Sequence, residues 1–249
     1  MLIPNPQGHY HFLKGIDPYS CGVIADPGYE IYRATLREPV SWTRGFDRVD
    51  EWLESEGRDR SALCGMELRC PSPYSILGFE TFNQTYCEVL KEWDLYVGDL
   101  NPIARTNVAP SYSPPLETTL HAFSYTVRAE GESDLTLVVA GAGELRDGIL
   151  EEASLIRRGE TDDDAMREKA SYVMKVMEER MIALGGRWDM LNSINVYTVH
   201  PIDGLAQDVI LNRVGPARRH GIHWYHSRPP VHEIEFEMDM HAVGRELII

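Results

Sequence analysis

A chain of 249 residues, 43% hydrophobic and 25% charged, is long enough for one large domain or two ordinary ones, each with a real core. Its net charge of −15, with four lysines beside twenty arginines, argues against a nucleic-acid partner, because a phosphate backbone needs a dense cationic face. No apolar run approaches the ~18 residues of a membrane helix, and the opening MLIPNPQGHYHF lacks the basic start and apolar stretch of a secretory signal.

Cys21, Cys64, Cys70 and Cys87 share no C-x-x-C spacing and read as free thiols in a reducing cytoplasm. In chain order, Tyr29 to Leu36 (YEIYRATL) is a strand candidate, and Phe46, Val49, Trp52 and Leu53 mark a short amphipathic helix. From Phe79 to about Tyr96, Phe79, Phe82, Tyr86, Val89, Leu90 and Trp93 recur at three- and four-residue steps, the pattern of a helix with one buried face. Pro110 to Pro115 (PSYSPP) reads as a linker or an ordered crossover. Leu135 to Ala140 is a further strand.

The acidic run Glu160 to Asp164 marks a helix start, since carboxylates favour the N-terminal end of the helix dipole. The helix continues from Asp163 to about Leu184 on Ala170, Val173, Met177, Met181 and Leu184, and Gly185-Gly186 stops it. Ser193 to Val199 is a strand. So is Val231 to Ala242, where Ile234, Phe236, Met238 and Met240 point one way and Glu233, Glu235, Glu237 and Asp239 the other. The carboxylate face of that strand is expected to be exposed, at a wet interface between subunits.

A faint repeat organises these elements. Gly65-Met66-Glu67-Leu68-Arg69 echoes Ala142-Gly143-Glu144-Leu145-Arg146, and each is followed by an amphipathic helix and a short strand ending in proline. This predicts an α+β protein of two related halves, residues 1–113 and 114–249, each a mixed or antiparallel sheet with helices on one face. The alternative is one irregular α+β domain.

Near the C-terminus stand Gly215-Pro216-Ala217-Arg218-Arg219, Ser227-Arg228-Pro229-Pro230 and His232-Glu233-Ile234-Glu235. This succession resembles the end of the RidA (YjgF) family of imine and enamine deaminases, including the fifteen-residue interval from Arg218 to Glu233. Val138-Val139-Ala140-Gly141 resembles the family's strand ending in Ser-Gly, with alanine for serine, and His121 to Val127 its Gly-Pro-Tyr-Ser opening. The resemblance covers the C-terminal half. It implies RidA-like, chorismate mutase-like halves, the first a degenerate partner, assembled as a homo-oligomer, most simply a trimer.

The resemblance also implies a chemistry. Arg218 would grip the carboxylate of a small unsaturated 2-amino acid, such as a ring-cleavage product of the aminomuconate kind, through a bidentate fork. Glu233 would position water for attack at the C=N carbon, giving a 2-oxo acid and ammonia. Phe123 or Tyr125, together with Gly141, would line the pocket. No cofactor and no metal are implied, because an imine is already electrophilic. Bland roles stand beside these: Arg218 neutralising the acidic face of the last strand, and Glu233 in ordinary strand-face pairing. A non-catalytic carboxylate-binding module and a chorismatase-like hydrolase are the alternative functions. Arg219, adjacent to Arg218, is expected on the surface. The run His220, His223, His226 invites a metal reading, but on a strand His220 and His226 lie ~20 Å apart and one zinc cannot join them without a sharp bend.

Overall fold

The computed structural model describes residues 1–131, 134–146 and 151–249. The two long helices form where periodicity and caps agree. Helix α3 spans Asp163–Ala183; the Asp162 carboxylate accepts the Ala165 N–H at 3.0 Å, and Asp163 and Asp164 occupy the first turn. Its apolar stripe, Met166, Ala170, Val173, Met174, Met177 and Met181, is buried, each large side chain contributing roughly 1.5–3 kcal/mol of burial. Gly185, with φ 85°, turns the chain out of the helix in a conformation that a side chain would strain. Helix α2 spans Ile76–Glu92, capped by the Ser75 hydroxyl accepting Gly78 N–H at 3.0 Å. Helix α1 spans Trp42–Ser55 and buries Phe46, Val49 and Leu53.

The strands are β1 (Leu2–Asn5), β2 (Tyr10–Leu13), β3 (Gly22–Ala25), β4 (Tyr29–Ser41), β5 (Leu63–Arg69), β6 (Ala104–Pro110), β7 (Thr119–Arg128), β8 (Leu137–Gly143), β9 (Ser193–Tyr197), β10 (His223–Tyr225), β11 (Ser227–Arg228), β12 (Glu237–Ala242) and β13 (Arg245–Ile248). They form a seven-stranded sheet in the order β1-β2-β3-β8-β12-β9-β10 and a six-stranded sheet in the order β11-β6-β5-β7-β4-β13. Helices α1 and α2 cover the six-stranded sheet through Phe46, Tyr86, Leu90, Leu68 and Phe123. Helix α3 covers β8 and β12 through Val139, Phe236, Met238 and Met240. Between the sheets lies a third core of Tyr10, Phe12, Val23, Ile31, Cys64, Ala104 and Ala140. The architecture is mixed α+β in four layers.

Both sheets draw strands from both sides of residue 113. Strands β1–β3 pair into the sheet built on β8, while β7, β11 and β13 pair into the sheet built on β4–β6. The expected division into residues 1–113 and 114–249 therefore does not separate one sheet from the other. The echoed pentapeptides do precede equivalent crossovers: β5–α2–β6 returns to an adjacent parallel strand, whereas β8–α3–β9 leaves room for β12, antiparallel to both neighbours.

The last long strand corrects one expectation. Pairing starts at Glu237, because Glu233 takes φ 71° in a turn. Glu237 and Asp239 are buried, and their face meets the other sheet, not solvent. Asp239 accepts from Asn195 Nδ2 at 2.6 Å and from the Tyr197 hydroxyl at 2.9 Å. Across from it, Arg33 donates twice to Glu67, at 2.6 and 2.8 Å. Burial opposes ionisation of Glu67, but Arg33 prevails and holds the carboxyl well below the usual range.

Candidate active site

The residues singled out in the sequence are dispersed. Arg218 is exposed on a short helical turn, Gly215–His220, that buries only Ala217. Glu233 is exposed and clasped by Arg158, at 2.8 and 3.2 Å. The segment resembling the family's last strand begins here with a turn at residues 232–233, and neither Arg218 nor Glu233 lines the cavity beside Gly141. Phe123 and Tyr125 are fully buried in the core beneath α1, where Trp52 Nε1 donates to the Tyr125 hydroxyl at 3.0 Å. Gly141 lies elsewhere, in the wall of a cavity of about 400 Å3. Arg219 is exposed. His220, His223 and His226 have separate partners: Arg219, the Ser193–Asn195 pair, and the Tyr112 ring. Among the described residues no cluster of three or more His, Cys, Asp or Glu side chains is arranged to hold a metal ion. All four cysteines are free, and no described helix is long and apolar enough to cross a membrane.

The cavity opens where β6 of one sheet lies against β8 of the other. Strand β6 supplies Arg105 and Asn107, two positions on one face of the strand. The segment between β2 and β3 supplies Lys14 and Tyr19, β8 supplies Gly141 to Gly143, α3 supplies Tyr172 and Arg180, and β12 supplies Glu237. Arg105 is almost wholly buried. Its Nη2 donates to Asn83 Oδ1 at 2.6 Å, and its guanidinium carbon sits 4.7 Å from the Tyr86 ring centre and 4.9 Å from that of Tyr19. Phe79 and Phe82 complete this aromatic box at 5.6 and 5.7 Å, an arrangement that stabilises a cation and fixes its plane. Arg180 Nη1 donates to the carbonyls of Ala140 and Gly141, at 3.0 and 3.3 Å, which anchors the second guanidinium to the end of β8.

Glu237 is the titratable group that stands out. Burial, followed by the nearby carboxyls of Asp239 and Glu144, pushes it well above the usual carboxylate range, and Arg105 and Arg180 only partly oppose this. Its carboxyl, which burial favours in the protonated form, lies in the wall of a cavity that also holds two guanidinium groups. Gly141 is required opposite it: a Cβ there would run into Glu237 Oε1 and meet Thr106 Oγ1 at 3.2 Å. The frame behind Glu237 is rigid, because Glu144, fully buried with Lys169 at 3.1 Å, accepts the backbone N–H groups of Glu235 and Phe236 at 2.7 and 3.0 Å. A carboxyl that burial inclines to keep its proton, beside two guanidinium groups, can donate and accept protons on a molecule held in the cavity.

The family described as 2-aminomuconate deaminase CnbZ matches residues 2–247. The chain belongs to that family. The match runs through both sheets and both crossovers, so the relationship belongs to the full-length chain and not to its C-terminal half. A 2-amino-5-chloromuconate deaminase from Comamonas testosteroni is 34% identical over 244 residues, 97% of this chain and 96% of that one. Among solved structures, a chorismatase is 10% identical over 97% of this chain and 79% of its own, with a TM-score of 0.47.

Sequence reasoning missed Arg105, Asn107, Arg180 and Glu237 as a group. Signals for them existed. ARTNVAP places Arg105 and Asn107 in alternation within a short strand otherwise rich in small apolar residues. Arg180 stands three and seven residues after Met177 and Val173, half-buried in line with the buried stripe of α3.

Proposed function

We propose that the chain is a deaminase acting on a 2-aminomuconate-type substrate, the enamine of an unsaturated six-carbon dicarboxylate, and that the β6–β8 cavity is its active site. The observation that carries this reading is Glu237, a buried carboxyl kept protonated within reach of Arg105 and Arg180. The guanidinium groups hold the two substrate carboxylates and orient the conjugated chain between them.

Glu237 then works as acid and base in turn. Its proton passes to a carbon of the enamine, converting the C–N bond to an iminium and leaving Glu237 ionised. The carboxylate takes a proton from water as the water oxygen bonds to C2, giving a carbinolamine and restoring the acid. The acid protonates the nitrogen, and the C–N bond breaks with its electron pair leaving on ammonia. The hydroxyl proton returns to Glu237 as the 2-oxo group forms. Enamine and water thus become 2-oxo acid and ammonia, with Glu237 unchanged. Ionised from the start, it would have no proton for the first step.

The reading is tested by mixing the purified chain with 2-aminomuconate and measuring ammonia and 2-oxo acid together. Equal amounts of both are expected, whereas tight binding without ammonia would point to a carboxylate-binding module. We also read the protein as a homo-oligomer, a trimer in particular, and the two crossovers as related RidA-like units. The echoed pentapeptides before α2 and α3 support the second reading. The first is supported by exposed Tyr112, Leu116 and Trp224 near the outer strands β10 and β11. A monomer in light scattering at micromolar concentration would refute the assembly.

A further inference from the structure

Polar atoms on β6 in the wall of the cavity are left without partners by the protein. Among the described residues, the buried side-chain atoms without a hydrogen-bond partner are Ser20 Oγ, Tyr86 OH, Arg105 Nη1 and both Nδ2 and Oδ1 of Asn107. Arg105 and Asn107 line the cavity, the Tyr86 ring packs on Arg105, and Ser20 sits between the lining residues Tyr19 and Cys21. A buried amide with neither group satisfied is costly, and such groups are rare in folded proteins. Three of the five, Arg105 Nη1 and both amide atoms of Asn107, belong to residues that line the same cavity. That is the signature of a surface whose partner is a ligand.

We propose that Asn107 recognises the amino nitrogen of the substrate and so decides which end of the dicarboxylate enters first. The proposal rests on the deaminase reading above. A carboxylate presents acceptors only, whereas the 2-amino group presents N–H donors. Arg105 Nη1 and Asn107 Nδ2 are donors and suit the C1 carboxylate. Asn107 Oδ1 is the one pure acceptor among the idle atoms and suits the adjacent amino group. Either orientation of the amide offers one donor and one acceptor, so the match does not depend on how the amide is turned. Asn107 and Arg105 thus take the C1–C2 end together and leave the distal carboxylate to Arg180 and Lys14 on the other walls. A dicarboxylate lacking the amino group leaves Oδ1 idle and binds without a preferred direction.

Adipate and 2-aminoadipate test this, being saturated six-carbon dicarboxylates without and with the amino group and having no enamine to hydrolyse. Calorimetric titration of the wild-type chain is expected to give about 10- to 100-fold tighter binding of 2-aminoadipate. In Asn107→Leu the two ligands are expected to bind within about threefold of each other, since the acceptor is gone while both arginines remain. Asn107→Ala reads the same ratio if the leucine variant does not fold. Equal binding of the two ligands by the wild type, or an undiminished ratio in the variants, overturns the assignment. Ammonia release from 2-aminomuconate is measured on the same wild-type preparation. Its absence removes the deaminase reading and this proposal with it, while normal release with an undiminished ratio removes the role of Asn107 alone.

Discussion

Glu237→Gln separates proton transfer from shape. The amide fills the same space beside Gly141 and presents similar polar atoms, but it has no acidic proton to give. Losing a positioned acid-base group lowers kcat by typically ~10²–10⁴-fold. Stability carries a second, independent signature. In the unfolded chain the carboxyl releases its proton near pH ~4.3. In the native state burial and the neighbouring carboxyls keep the proton on to higher pH. The native form thus binds one more proton than the unfolded form across that window. The stability contributed by Glu237 is full below the unfolded value and is lost as pH rises toward the native value, at ~1.4 kcal/mol per pH unit. Glutamine has no such dependence. As pH rises from 5 the variant should gain stability relative to wild type for as long as the native carboxyl keeps its proton. Thermal melts at several pH values, with kcat measured beside them, check both effects. Parallel stability curves over that range would mean that Glu237 is ionised in the folded protein, and the proton-donor argument would fall.

Other perturbations probe the remaining parts. Arg105→Lys keeps a cation in the aromatic box but loses the planar fork and its contacts to Asn83 and the rings, so kcat/KM per folded molecule should fall about 10- to 100-fold alongside a lower Tm. Arg218→Ala changes an exposed side chain away from the cavity, so a denaturant melt should stay within about 0.5 kcal/mol of wild type and deamination should be unaffected; a collapse in activity would return the site to that segment. Lys169→Met strands the buried Glu144 carboxyl and should cost about 3–5 kcal/mol in a urea titration, only part of it recovered when Glu144→Gln is added, because the amide can accept just one of the two backbone N–H groups that Glu144 holds.

What could be read in the sequence was what local periodicity controls. The two long helices appear within a few residues of their expected bounds, as does the strand from Ser193, because spacing, caps and stop glycines agree over a dozen residues or more. Alternation in the last strand was equally visible. Which face met water was not, because that depends on a second sheet whose strands lie far away in the chain. The same limit hid β1–β3, each four residues long and joined to β8 more than a hundred positions later. For the site, a short motif with the right interval led to Arg218 and Glu233, yet that segment folds as turns here. The groups that do converge come from residues 14 to 237 and share no local pattern. Only polar residues out of place on buried faces, Arg105, Asn107 and Arg180, marked them.

The exchange of strands between the sheets bears on how the protein reaches its fold and how it fails. Each sheet closes only when segments from opposite ends of the chain meet, so the loops to be closed are long and the pairing is predominantly non-local, a topology that folds slowly. The cavity is complete only when β12 lies between β8 and β9. Each sheet takes strands from both halves of the chain. Heat or denaturant should therefore extinguish turnover and secondary structure in the same transition, and a nicked chain should keep both or lose both.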